Sequence, residues 1–436
     1  MGVFIDMASF IFFFFVLLCC NIQNSCKFAL HKKLFIMAKL EINEIYNAQK
    51  VLSGVLRKTP LIWSRRLNRD VNVYIKPENM QYTGSFKLRG AYYKISQLSE
   101  EEKSRGVVAC SAGNHAQGVA FGASHNGIKA LICLPAGAPI SKVEATKGYG
   151  ADVCLVPGVY DDAYAKAIQL RDEMGYTFVH PFDDPKVIAG QGTIGLEILE
   201  DMPDVEAVVV PIGGGGLISG VAFAIKTLRP DVKVYGVQSS GAPSMATSLQ
   251  EGNIQHLSSV STIADGIAVK EPGVNTFEMC NKYVDEVVTV SDDEIAAAIL
   301  ALLEQHKIVS EGAGAVATAA IMFNKLPLKG KKTVCLVSGG NIDVTTLSRV
   351  ITRGLSKSGR NFTFKIDLYD KPGQLSGVCN IIADLGGNVL SVAHERINAS
   401  QEINGCVLRI ELETLNAEHI ETIRQGLSNA GYCVLN

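Results

Sequence analysis

Short β-branched runs and amphipathic helical stretches alternate along this chain from Ile42 onward, and that alternation limits its fold most. Residues 71–76, 107–109, 130–134, 152–156, 207–211, 233–238 and 332–337 read as strands, most of them apolar on both faces. Residues 91–98, 116–126, 160–175 and 292–305 read as helices. Strands joined by crossover helices build mostly parallel sheets covered on both sides, an α/β architecture. Ligands in such sheets sit beyond the carboxyl ends of the strands, in the loops that lead into helices. The glycine-rich and polar segments of this chain fall at those places.

A length of 436 residues leaves room for about three domains. The formal charge of -2 offers no electrostatic footprint for nucleic acid or an anionic membrane. The eleven cysteines are scattered without a Cys-x-x-Cys pair, and Cys133 and Cys335 lie inside apolar runs. A disulfide scaffold or a zinc site is therefore not expected, and a reducing, cytoplasmic setting is.

Both ends differ from the middle. Residues 1–36 contain an apolar run at 10–20, short for a bilayer span, preceded by Asp6 and followed by Lys27, Lys32 and Lys33. That charge order is the reverse of a secretory signal, so the segment is either an atypical targeting sequence or lies upstream of a start at Met37. After a polar link at 356–361 the rhythm changes. Residues 362–368, 388–396, 406–412 and 431–435 read as strands, with helices at 372–385, begun by Pro372, and 418–428. The order βαββαβ is ferredoxin-like. The expected division is thus an extension at 1–36, a main α/β unit at 37–355, a linker at 356–361 and a small α+β unit at 362–436.

Several loops could carry chemistry. In Thr83-Gly84-Ser85-Phe86-Lys87-Leu88-Arg89-Gly90 one lysine stands between a strand and a helix. The positive end of the helix dipole disfavours its charged form, and a neutral lysine is a nucleophile toward an aldehyde, or a base. Alone it reads first as a solvated cation. Ser111-Ala112-Gly113-Asn114-His115-Ala116-Gln117-Gly118 follows a strand and opens a helix, where backbone N–H groups make a cradle for a carboxylate, or a plain Asn-capped turn. Gly213-Gly214-Gly215-Gly216-Leu217 also joins strand to helix. Successive glycines let the backbone approach a phosphate, and the segment lacks both the Gly-Lys-Ser/Thr of a Walker loop and the dinucleotide spacing. Ser338-Gly339-Gly340-Asn341 follows a further strand, and its hydroxyl could meet a ring nitrogen or simply sit in a turn.

These motifs in this order, with Asp184-Pro185-Lys186-Val187-Ile188-Ala189-Gly190-Gln191-Gly192-Thr193, resemble the threonine/serine dehydratase family over about residues 41–354. Those enzymes have the two-lobed tryptophan-synthase-β-like fold, type II among pyridoxal-phosphate enzymes. The nearest resemblance is to catabolic threonine ammonia-lyases with a C-terminal ACT domain, whose start Tyr369-Asp370-Lys371-Pro372-Gly373-Gln374-Leu375 resembles. The resemblance implies pyridoxal 5'-phosphate held by Lys87 as a Schiff base, Phe86 behind the ring and Asn114 on its phenolic oxygen. Gly213, Gly214, Gly215, Gly216 and Leu217 would bind the phosphate. Gly266 would pack near the ring, and Ser338 would face its nitrogen. Ser111, Asn114 and His115 would hold the substrate carboxylate. The implied reaction is elimination from threonine to 2-oxobutanoate and ammonia, and from serine to pyruvate, with Lys87 carrying the Cα proton. A serine hydroxyl does not keep the ring nitrogen protonated, which weakens the electron sink and favours prompt loss of the β-hydroxyl.

Serine racemases share most of these motifs but place a serine where this chain has Ala112, and a methyl group exchanges no proton. They also bind a cation through an acidic residue where this chain has Gln238-Ser239-Ser240-Gly241, so no metal is expected. Racemisation and a non-catalytic amino-acid sensor are the alternative readings. An amino-acid effector near Gly373, or a nucleotide effector, and a homo-dimer or tetramer complete the expectation.

Overall fold

The computed structural model describes residues 40–396 and 404–435, so the apolar run near the N-terminus lies outside the described residues. The strands are β1 (Ile62–Ser64), β2 (Asn72–Pro77), β3 (Val107–Cys110), β4 (Ala130–Pro135), β5 (Asp152–Val156) and β6 (Thr177–Phe178). They continue with β7 (Ala207–Pro211), β8 (Lys233–Ser239), β9 (Glu286–Val290) and β10 (Lys332–Val337). Two sheets result. One has the order β5-β4-β3-β6 and is parallel throughout. The other has the order β1-β2-β10-β7-β8-β9 and is parallel except for β1 at its edge. Every residue of β3 and β7 is buried, as a central strand between two helical layers requires. This is the α/β fold expected from the alternation, in the two lobes that the resemblance implied.

The helix Pro185–Asp201 ties the lobes together. Asp184 caps it, its Oδ1 accepting the amides of Lys186 at 2.8 Å and Val187 at 3.2 Å, with Pro185 in the first turn. On one flank it crosses the helix Lys87–Ser96 at Gly90 and Gly190, where a Cβ on Gly190 would stand 2.6 Å from the Gly90 Cα. On another it meets the helix Gly216–Leu228, where a Cβ on Gly220 would stand 2.3 Å from the Ile188 carbonyl. Backbones this close leave no room for a methyl group. One helix thereby fixes both the lysine-bearing helix and the helix that follows the tetraglycine loop.

The lysine helix begins at Lys87, four residues before the start expected from the sequence (87 against 91), and ends at Ser96. Leu88, Arg89 and Gly90 are all buried in that first turn. Arg89 is fully buried because its guanidinium meets Glu78 at 2.7 and 2.8 Å, Glu197 at 2.6 and 2.8 Å and Thr193 at 3.0 Å. Lys76, also fully buried, completes a balanced group of two cations and two carboxylates by donating to Glu197 at 2.6 Å.

β11 (Asn361–Tyr369), β12 (Asn388–Glu395), β13 (Gly405–Glu413) and β14 (Cys433–Leu435) form a separate antiparallel sheet in the order β12-β13-β11-β14. With helices Gln374–Asp384 and Ala417–Asn429 they give the expected βαββαβ, ferredoxin-like unit. Two boundaries move. The helix Val344–Lys357 runs into the segment expected as a linker and β11 starts at Asn361, so only residues 358–360 connect the units, with Gly359 at φ +69°. The helix expected from Pro372 starts at Gln374, capped by Gly373 at φ +91°. A left-handed cap turns the chain there, so Pro372 lies in the approach, not in the helix.

Candidate active site

Lys87 is the first helical residue after a loop that is zipped to the Ser338 loop. The Phe86 amide donates to the Ser338 carbonyl at 3.0 Å, and the Gly340 amide donates to the Gly84 carbonyl at 2.9 Å. Ser85 bridges Gly339, and Asn341 Nδ2 reaches the Thr83 carbonyl at 2.8 Å. Two loops more than 250 residues apart, each at the carboxyl end of a neighbouring strand, become one surface.

From Lys87 a circuit of contacts visits each of the expected motifs. Lys87 Nζ donates to the Pro181 carbonyl at 2.6 Å and lies 5.4 Å from the Phe86 ring centre. The next residue, Phe182, packs on the tetraglycine loop, where Cβ atoms on Gly214 or Gly216 would come within 2.5 or 2.6 Å of it. Gly215 takes φ +99°, which glycine adopts freely, and caps the helix Gly216–Leu228. Gly213 abuts Ile267, beside Gly266. A Cβ on Gly266 would meet Ala313 at 3.0 Å and the Glu311 carboxylate at 3.5 Å. Glu311 accepts a 2.6 Å hydrogen bond from Asn114 Nδ2, whose Oδ1 accepts from Asn341 at 2.7 Å. The Glu311 amide donates to the Gly339 carbonyl at 3.1 Å, next to Ser338, and the circuit closes. Ser338 itself is buried, its hydroxyl 3.4 Å from the Ala313 carbonyl.

The electrostatics follow from enclosure. Burial pushes the Lys87 amine down to about 8, against the opposing charge of Glu311. Burial, more than the helix dipole expected from the sequence, is thus the main cause. Burial and then the charge of Asp265 push the Glu311 carboxyl up to about 7, although Asn114, Lys142 and Lys87 oppose this. Near neutral pH this pair can hold or yield a proton, an arrangement typical of functional sites.

The cradle at Ser111 is partly as expected. Ser111 Oγ accepts the Gly113 amide at 3.2 Å, and the helix Asn114–His125 begins directly after. Its first amides lack intrahelical carbonyls and carry the positive end of the helix dipole. The His115 ring, however, is buried with Nε2 donating to the Val179 carbonyl at 2.8 Å. Burial, then the Lys87 charge, pushes it down to about 3, so it is neutral and engaged elsewhere. What His115 can offer a carboxylate is its backbone N–H.

Sequence reasoning missed Glu311, the Pro181 carbonyl and the His180–Asp183 turn. Asp183 accepts the amides of Val274, Asn275 and Thr276, and Thr276 Oγ1 donates to the Gly214 carbonyl at 2.6 Å. These contacts hold the glycine loop from outside. Only tertiary structure brings them together, so no local pattern could have singled them out.

A family model described as "Pyridoxal-phosphate dependent enzyme" matches residues 52–340. The chain belongs to this family. It is 52% identical over 395 residues to the L-threonine ammonia-lyase of Thermotoga maritima, covering 90% of this chain and 98% of that relative. The processed form of threonine deaminase isoform 2 from Solanum lycopersicum superposes with TM-score 0.67 at 40% identity, covering 72% of this chain and 88% of that one. Maize serine racemase superposes with TM-score 0.68 at 35% identity, over 73% and 98% of the two chains.

The family's cofactor is pyridoxal phosphate, and the residues present fit it. A lysine amine lowered by burial to about 8 stands near a glycine loop that leads into a helix N-terminus, which suits an aldehyde and a phosphate on one ring. The hydroxyls of Thr83 and Ser85, within four residues of Lys87, are buried with no hydrogen-bond partner among the described residues, as expected where a polar group completes the site.

Proposed function

We propose that this protein eliminates ammonia from L-threonine, giving 2-oxobutanoate, and from L-serine, giving pyruvate. The observation that carries the reading is the Lys87 amine, lowered to about 8 and set in a closed circuit with the glycine loop, Ser338 and Glu311. Relatives of similar length named for the threonine reaction support it.

Bound pyridoxal phosphate supplies the electron sink that makes the substrate Cα–H acidic. The amides of Gly213–Leu217 would hold its phosphate, Lys87 would hold its carbonyl carbon, and Asn114 and Ser338 would orient the ring. Ser111 and the first amides of the helix Asn114–His125 hold the substrate carboxylate, fixing the Cα–H toward Lys87 Nζ. Lys87, freed when the substrate amine takes its place and neutral at that point, accepts the Cα proton. Glu311, raised to about 7, keeps a proton within the site and is a candidate donor to the departing hydroxyl. The enamine released hydrolyses to the keto acid and ammonia.

The likeness to a serine racemase favours a second outcome on the same scaffold, and Ala112 argues against it. Racemisation needs a proton carrier on each side of Cα, and Ala112 carries none. Incubation with L-serine separates the two: pyruvate is expected to exceed D-serine by about 10²-fold or more. Comparable D-serine would overturn the reading.

The main unit is assigned to residues 37–355, and the βαββαβ unit at 362–436 is read as an ACT-like regulatory domain. The turn at Gly373 suits an amino-acid effector at a contact between subunits of a homo-oligomer. Keto-acid formation with and without isoleucine, valine or AMP tests this, a change of about 5-fold or more in apparent affinity being expected from one of them. Among the described residues no helix is long and apolar enough to cross a membrane, and unpaired cysteines such as Cys110 and Cys335 suit a reducing, cytoplasmic setting.

A further inference from the structure

We propose that the C-terminal unit carries a site for a divalent transition metal of the zinc class, formed by Asp370, His394 and Cys406. One ligand atom from each, a carboxylate oxygen, an imidazole nitrogen and a thiol sulfur, lies within 4.8 Å of the other two. The inference is independent of the reaction assigned above.

Strand register brings the three together. Cys406 on β13 pairs with Leu368 on β11, and Asp370 stands in the bend directly after β11, which ends at Tyr369. His394 on β12 pairs with Leu408, two residues along from Cys406, so it is a diagonal neighbour on the face that carries Cys406. Phe364, Ile366, Leu408 and Ile410 on this face are buried beneath the helices. At its open end the buried Cys406 meets the exposed Asp370 and His394. An apolar floor beneath the sulfur and a solvent entry above it suit a metal centre.

The donor set chooses the metal. Sulfur, nitrogen and carboxylate oxygen together suit zinc, cobalt or copper and not magnesium or calcium, which take oxygen. His394 Nε2 lies 2.8 Å from Cys406 Sγ, closer than the roughly 3.5 Å between two such ligands on a tetrahedral metal, so side-chain rotations part this pair on binding and bring in Asp370, with water as the fourth ligand. Arg396 Nε donates to Asp370 Oδ2 at 2.7 Å, an orienting contact outside the shell. On binding, Cys406 gives its proton to solvent as the metal–sulfur bond forms, and His394 ligates as neutral imidazole. No oxidant or reductant is needed. Asp370 opens the turn that leads through Gly373 into the helix Gln374–Asp384, so a bound metal ties that turn to β12 and β13.

The test uses the full-length, cofactor-loaded protein, stripped of metal by a chelator and titrated with Co2+, read in the red region beyond the cofactor's absorption. Saturation of a tetrahedral d–d band at about one equivalent is expected. His394→Ala and Asp370→Asn, both surface changes, are expected to weaken Co2+ binding at least about tenfold, and Cys406→Ser to abolish the band. Zn2+ is expected to raise the melting temperature of the unaltered protein and not that of His394→Ala. No saturable band, or equal binding by His394→Ala and the unaltered protein, would show that His394 and Cys406 share only a hydrogen bond and would overturn the proposal.

Discussion

A lysine amine pushed by burial to about 8 leaves a measurable trace in how the protein takes up its cofactor. Only neutral amine attacks an aldehyde, so the rate of pyridoxal-phosphate capture by the cofactor-free protein is expected to climb about tenfold per pH unit below 8 and level off above it. A rate still climbing at pH 10 would place the amine in solvent, near the ordinary lysine value of about 10.4. Glu311 makes a second residue-level prediction. Glu311→Gln keeps an acceptor for Asn114 Nδ2 but cannot yield a proton, and kcat is expected to fall about 10²-fold at unchanged stability. An unaltered kcat would reduce Glu311 to a bracket for Asn114. Lys87 and the glycines were legible in the sequence because each stands in a loop between a strand and a helix. Glu311 was not. Its place comes from Asn114, Gly266 and Gly339, which lie far from it in the chain.

Among the elements, the helix Pro185–Asp201 is the strut of the site. It touches the lysine helix and the glycine-loop helix through glycines, so bulk added at Gly190 is transmitted to Lys87 as a displaced backbone. Gly190→Ala is expected to cost about 1–3 kcal/mol in urea unfolding, as overpacking does, and to lower activity more than that loss of folded protein explains. Unchanged stability would mean that the two helices part without cost. Every strand expected in the main unit is present, because apolar runs between turn signals mark strands buried on both faces. The short or edge strands β1, β6 and β9 escaped notice, being too brief or too exposed to stand out. The early start of the lysine helix escaped for another reason. Arg89 and Gly90 break the apolar pattern, yet both are buried, one by ion pairing and the other by close helix contact.

The whole molecule sets a two-sheet α/β body beside a small antiparallel unit, joined by residues 358–360 and by the ion pair of Arg360 with Glu304. The order of the loops along the chain revealed this plan, since each chemical segment follows a strand. The Asp370, His394 and Cys406 group was hidden, because three strands must be laid in register before they meet. The circuit around Lys87 is proposed to perform elimination. The most direct measurement is 2-oxobutanoate and ammonia formed from L-threonine by the purified, cofactor-loaded protein and by its Lys87→Ala variant. Equal amounts of both products from the unaltered protein, and none above background from the variant, are expected. No keto acid from the unaltered protein, or undiminished formation by Lys87→Ala, would contradict the claim.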